Sequence, residues 1–109
     1  MIYRLRFFFD AGSGVCLWSA NPAARVRFGY PVVLGDLPLA ERTRETGRRL
    51  IERYDTSLDR SYPPDRSPWS EAESLGFDMA ARDWLTNIKQ ELGRDFQVVD
   101  ESRPARLAE

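Results

Sequence analysis

Two groups of residues have types and spacings that suit chemistry. The first is Asp10-Ala11-Gly12-Ser13-Gly14, where alternate glycines would let backbone N–H groups converge on an anion beside the Ser13 hydroxyl. The second is a set of carboxylates, Asp55, Asp59, Asp65, Glu71 and Glu73, which offers the oxygen ligands that Mg²⁺ or Ca²⁺ takes. A pair such as Asp55 and Asp59 would also supply an acid and a base for glycoside cleavage. Each group has a plainer reading that the sequence favours. Residues 10–14 lack a following G-K-[ST] and lead into an extended run (VCLWSA), whereas a phosphate loop leads into a helix. They read first as a hairpin turn, and second as an anion site built from Asp10, Gly12, Ser13 and Gly14. The carboxylates do not follow EF-hand spacing, and Glu71 and Glu73 suit a helix start, so neither a metal nor another cofactor is expected.

The remaining composition removes whole classes of chemistry. With no histidine among 109 residues, the chain cannot assemble a Ser-His-Asp triad, a Cys-His pair or an imidazole zinc site. Lys and Arg number 16 against 17 Asp and Glu, a net charge of −1, and so no nucleic acid is expected as a partner. The lone Cys16 cannot form an internal disulfide, which favours a reducing cytoplasm. No stretch approaches the length of a membrane span, and residues 1–9 lack the pattern of a secretion signal. The length suits one globular domain, 1–100, followed by a disordered tail, 101–109.

The elements that would position these groups are legible from periodicity. Residues 2–9 alternate as a strand, with Tyr3, Leu5, Phe7 and Phe9 on one face and Ile2, Arg4, Arg6 and Phe8 on the other. Residues 15–20 return as the second arm of a hairpin. Asn21-Pro22 caps a short helix over 23–28 that Gly29 ends, while 30–36 resists assignment. Charge pairs at helical spacing and a thin stripe of Leu39, Thr43, Leu50, Ile51 and Tyr54 predict a helix over 38–54, in which Gly47 implies close packing or a kink. Ser70-Glu71-Ala72-Glu73 is a capping box that opens a helix running to about Leu92. Its apolar face is Phe77, Ala80, Ala81, Trp84, Leu85, Ile88 and Leu92, and residues 96–100 form a last strand. The predicted fold is α+β: a small antiparallel sheet, made of the N-terminal hairpin and the C-terminal strand, with two long helices and one short helix on one face.

Segment 55–67 is aperiodic, has paired prolines, and is longer than a bare helix connection needs. With Tyr62 and Trp69 it brings aromatics and carboxylates together, the residue types that make binding anchors and steer association. Asp55, Asp59, Tyr62, Asp65, Trp69 and Glu71 are therefore candidate partner-binding residues, joined by Trp18, which falls on the strand face opposite Leu17. Cys16, in an apolar strand, reads as inert packing.

The runs FFFDAGSGVCLW (7–18), DTSLD (55–59) and SPW (67–69) resemble a small uncharacterised family of bacterial, chiefly actinobacterial, proteins, with Arg60 standing where the resemblance leads one to expect an aromatic. Such short cytoplasmic proteins are loosely similar to immunity proteins of toxin systems. The resemblance implies a protein partner, a cognate toxin neutralised by occlusion. The alternative is a small-molecule or nucleotide-binding enzyme using loop 10–14 and the carboxylates of 55–73.

Overall fold

The computed structural model describes residues 1–56 and 70–102. The N-terminal alternation becomes strand β1 (Tyr3–Phe7), which turns through residues 10–14 into β2 (Leu17–Ser19). Asn21 then accepts the Ala24 N–H at 3.0 Å and caps α1 (Pro22–Phe28). The same side chain accepts the Arg4 N–H (3.2 Å) and donates to the Ile2 carbonyl (2.9 Å), so one residue both starts the helix and fastens it to β1. The unassigned segment 30–36 supplies a two-residue strand, β3 (Pro31–Val32), and a 3₁₀ turn (Leu34–Asp36). Helices α2 (Glu41–Asp55) and α3 (Glu71–Leu92) follow, then β4 (Phe96–Asp100).

The α+β class and the predicted helices hold, but the sheet is mixed rather than wholly antiparallel. Its order is β3-β2-β1-β4, and β4 runs parallel to β1 with Tyr3 opposite Phe96 and Phe7 opposite Asp100. The physical reason lies in α3. Its first turns lie near the end of β1, with Phe77 5.1 Å from Phe9, and Trp84 further along lies 6.0 Å from Phe7. The helix thus carries the chain back to the start of β1, and a strand that begins there beside Tyr3 must run parallel to it.

The stripe on α2 starts later than predicted, because Leu37 and Leu39 are both buried in an extended segment that keeps Pro38 exposed. Ala40, at the head of α2, has no capping side chain of its own; Glu91 of α3 accepts its N–H at 2.8 Å. Gly47 resolves in favour of close packing. A Cβ there would lie 2.5 Å from Trp84 Cζ2 and 2.6 Å from Leu34 Cδ1. On α3 the capping box forms in both directions, Ser70 Oγ accepting the Glu73 N–H (3.1 Å) and Glu73 Oε1 the Ser70 N–H (3.3 Å). Phe77, Ala81, Trp84, Leu85, Ile88 and Leu92 are buried as their spacing predicts.

Helices α1 and α3 cover the Tyr3–Leu5–Phe7 face of the sheet, Phe28 of α1 packing on Tyr3 and Phe96 and Trp84 of α3 on Phe7, while α2 packs on α3 and reaches Phe9 through Tyr54. Among the described residues no element covers the opposite face, and no helix is long and apolar enough to cross a membrane.

Candidate functional site

The alternation of β1 that buries Leu5 and Phe7 must send Arg4, Arg6 and Phe8 to the uncovered face. Their sheet neighbours there are Trp18 of β2, opposite Arg6, and Gln97 and Val99 of β4, opposite Arg4 and Arg6. The side chains form a continuous row. Glu101 Oε1 accepts from Arg6 Nε (2.9 Å) and Nη2 (2.7 Å), and the Arg6 guanidinium lies 5.0 Å from the Phe8 ring centre. Phe8 stacks on Trp18 at 4.9 Å with the planes 6° apart, Trp18 meets Tyr30 at 5.4 Å, and Arg25 sits 5.7 Å over Tyr30. Glu101 hydrogen bonding, with the Tyr30 phenol adding to it, outweighs desolvation and holds the Arg6 guanidinium charged, its pKa raised. Arg4 donates to Gln97 Oε1 at 3.0 Å, and neither Arg4 nor Arg25 has a carboxylate partner among the described residues.

At the carboxyl ends of the parallel pair β1 and β4 this row opens into a cleft of about 300 Å³, bordered by Arg6, Phe8, Phe9, Tyr54 and Glu101. The two strands leave the sheet together, since the Glu101 N–H donates to the Phe7 carbonyl at 2.9 Å. Glu101 is thus tied to the sheet rather than part of a loose tail; residues 103–109 lie outside the described chain. Tyr54, in the last turn of α2, stacks on Phe9 at 5.3 Å. Burial pushes its phenol pKa up, and the neighbouring carboxylates Asp10, Asp55 and Asp78 push it the same way.

The structure brings two of the sequence's candidate groups together beside this cleft. The Gly12 N–H donates to Asp55 Oδ1 at 3.0 Å, so the anion facing the glycine loop is a carboxylate of the protein itself. Gly12 and Gly14 take φ values of 81° and 76°, which only glycine adopts without strain, and the turn closes as Ser13 N–H and Oγ both donate to the Asp10 carbonyl (3.1 and 2.6 Å). Trp18 lies on the uncovered face as its spacing indicates, but Phe8 and Tyr30 leave it only 8% exposed, and its indole N–H is bonded to the Phe8 carbonyl (3.1 Å). It supports Tyr30, which is 42% exposed, rather than presenting itself. Glu71 is exposed in the first turn of α3. Asp59, Tyr62, Asp65 and Trp69 lie outside the described residues. Among the described residues no three His, Cys, Asp or Glu side chains stand together as a metal site.

The shared strand face of Arg4, Arg6 and Phe8 is apparent in the sequence, but nothing local marks it as a candidate site. Glu101 was hidden by its place in a charged, proline-containing terminus. Cys16 is fully buried, and burial pushes its thiol pKa up. A thiolate-directed reagent such as iodoacetamide is therefore expected to leave Cys16 unlabelled at pH 8 in the native protein and to label it once denaturant opens the core. Fast labelling without denaturant would contradict the buried placement. Comparison with family models and with curated proteins gives no match.

Proposed function

We propose that this chain is a cytoplasmic protein that acts by binding another protein through the uncovered face of its sheet, in the manner of an immunity protein occluding a cognate toxin. The observation that carries this reading is the row Arg6–Phe8–Trp18–Tyr30–Arg25. Trp, Tyr and Arg are the residues most enriched among binding hot spots, and here each ring is already held by its neighbour, which reduces the ordering cost of association. Single-stranded nucleic acid fits less well. Stacking platforms offer free ring faces, whereas Phe8 and Trp18 occupy each other's, and the net charge of −1 gives no general attraction. Catalysis has less support still: the Ser13 hydroxyl is bonded within its own turn, and the Cys16 thiol is sealed in the core.

The test is site-specific photo-crosslinking in the native host from position 30 and, as a control, from exposed position 52 of α2, followed by affinity measurement with the purified partner. Tyr30→Ala is expected to leave the circular dichroism spectrum unchanged and to weaken binding by about 2 kcal/mol or more, the hot-spot scale. Arg4→Glu is expected to change chiefly the association rate and its salt dependence. If a partner crosslinked at position 30 binds both variants with wild-type affinity, the docking face is elsewhere.

A further inference from the structure

The cleft at the end of β1 and β4 has a lining unlike that of the flat row beside it. Three aromatic rings, Phe8, Phe9 and Tyr54, border it, and among the described residues its charged members are one ion pair, Arg6 with Glu101. Both Arg6 bonds fall on Glu101 Oε1, leaving Oε2 without a partner among the described residues. The surroundings add negative charge. Asp10 and Asp55 lie close enough to the Tyr54 hydroxyl to oppose its ionisation, and Tyr54 belongs to the last turn of α2, the end of a helix that carries partial negative charge. Aromatic faces in a negative field attract cations, and a guanidinium lies over a ring in the same cluster already: Arg53 is 5.4 Å from the centre of Phe77, whose ring is 5.9 Å from that of Tyr54.

We propose that this cleft binds a guanidinium or alkylammonium group, seated against the rings of Phe9 and Tyr54, the Phe8 ring being taken by Trp18 and Arg6, with Glu101 as its counter-charge. Such a group comes either from an arginine or lysine side chain of a protein or from a free small amine. Only the first source rests on the protein-binding reading above, and the site itself does not depend on it.

The experiment is a titration of the full ¹⁵N-labelled chain, followed by amide chemical shifts. The probes are Nα-acetyl-arginine amide, its uncharged counterpart Nα-acetyl-citrulline amide, and putrescine. The expected result is saturable shifts concentrated at Phe8, Phe9, Tyr54 and Glu101, with at least tenfold weaker binding of the citrulline compound. Glu101→Gln, which keeps a hydrogen-bond acceptor for Arg6 and removes the charge, is expected to weaken binding of the cations at least threefold while leaving the rest of the spectrum in place. Tighter binding of the arginine compound assigns the site to a protein side chain, and tighter binding of putrescine assigns it to a free amine; both support the proposal. Equal binding of arginine and citrulline, shifts centred elsewhere, or no effect of Glu101→Gln overturns it. None of these outcomes depends on Tyr30, so failure here and failure of partner docking are separately visible.

Discussion

Trp84→Ala is expected to remove most of the protein's stability. The indole is 2% exposed, packs 6.0 Å from the ring of Phe7, and donates its N–H to the Thr43 carbonyl at 2.8 Å, so a single side chain joins the sheet, α2 and α3. Truncating a buried tryptophan costs about 3–5 kcal/mol through lost burial and the cavity left behind. The Thr43 carbonyl would also lose its indole donor while keeping the Gly47 N–H of its own helix, and one lost hydrogen bond adds roughly 1 kcal/mol. Against a total stability of about 5–15 kcal/mol, the variant would be partly or wholly unfolded at room temperature. Urea titration followed by far-ultraviolet circular dichroism measures the loss. An unfolding free energy within about 1 kcal/mol of wild type would mean that the contact between the three elements is not the centre of the core.

The second large effect comes from adding one methyl group. Elsewhere in a helix, Gly→Ala is stabilising, by roughly 1 kcal/mol of helix propensity. At Gly47 the new Cβ would stand 2.5 Å from Trp84 Cζ2, inside any real contact distance. Leu34, at 2.6 Å, can swing the end of its side chain aside, but the tryptophan ring is wedged between helix and sheet and must move as a whole. Overpacking costs about 1–3 kcal/mol, and a 2.5 Å approach to a ring that cannot swing aside puts this site at the top of that range, above the gain in propensity. Gly47→Ala is therefore expected to destabilise by about 2 kcal/mol net, a fall in Tm of roughly 10 °C. Gly76, exposed on α3 with nothing within 4 Å of a built Cβ, supplies the internal control. Gly76→Ala should raise stability by about 0.4–1 kcal/mol. Shifts of the same sign in both variants would refute the packing argument.

How far the sequence alone reached depended on whether the information was local. Alternation along residues 2–9, the Asn21 cap, the Ser70 capping box and the apolar face of α3 are relations between residues a few positions apart, governed by backbone geometry and side-chain direction. They were legible for that reason. Gly47 was legible only as a choice between a kink and close packing. The choice was made by Trp84 and Leu34, residues far along the chain on other elements.

The tertiary structure decided three things that no local pattern contains. It set β4 parallel to β1, because α3 returns the chain to the start of that strand. It supplied a carboxylate from α3, Glu91, to the head of α2, where Ala40 has no side chain able to cap. It also assembled the candidate site from Arg6, Tyr54 and Glu101, dispersed along the chain, and turned the Asp10–Gly14 loop inward onto Asp55. Hydrogen bonds and ring contacts across such separations depend on how helices and strands pack, and the pattern of neighbouring residues carries no record of that. Residue types and periods determined which side chains this protein has to hide and which strand face it leaves open; the packing of α3 against the sheet decided what meets there.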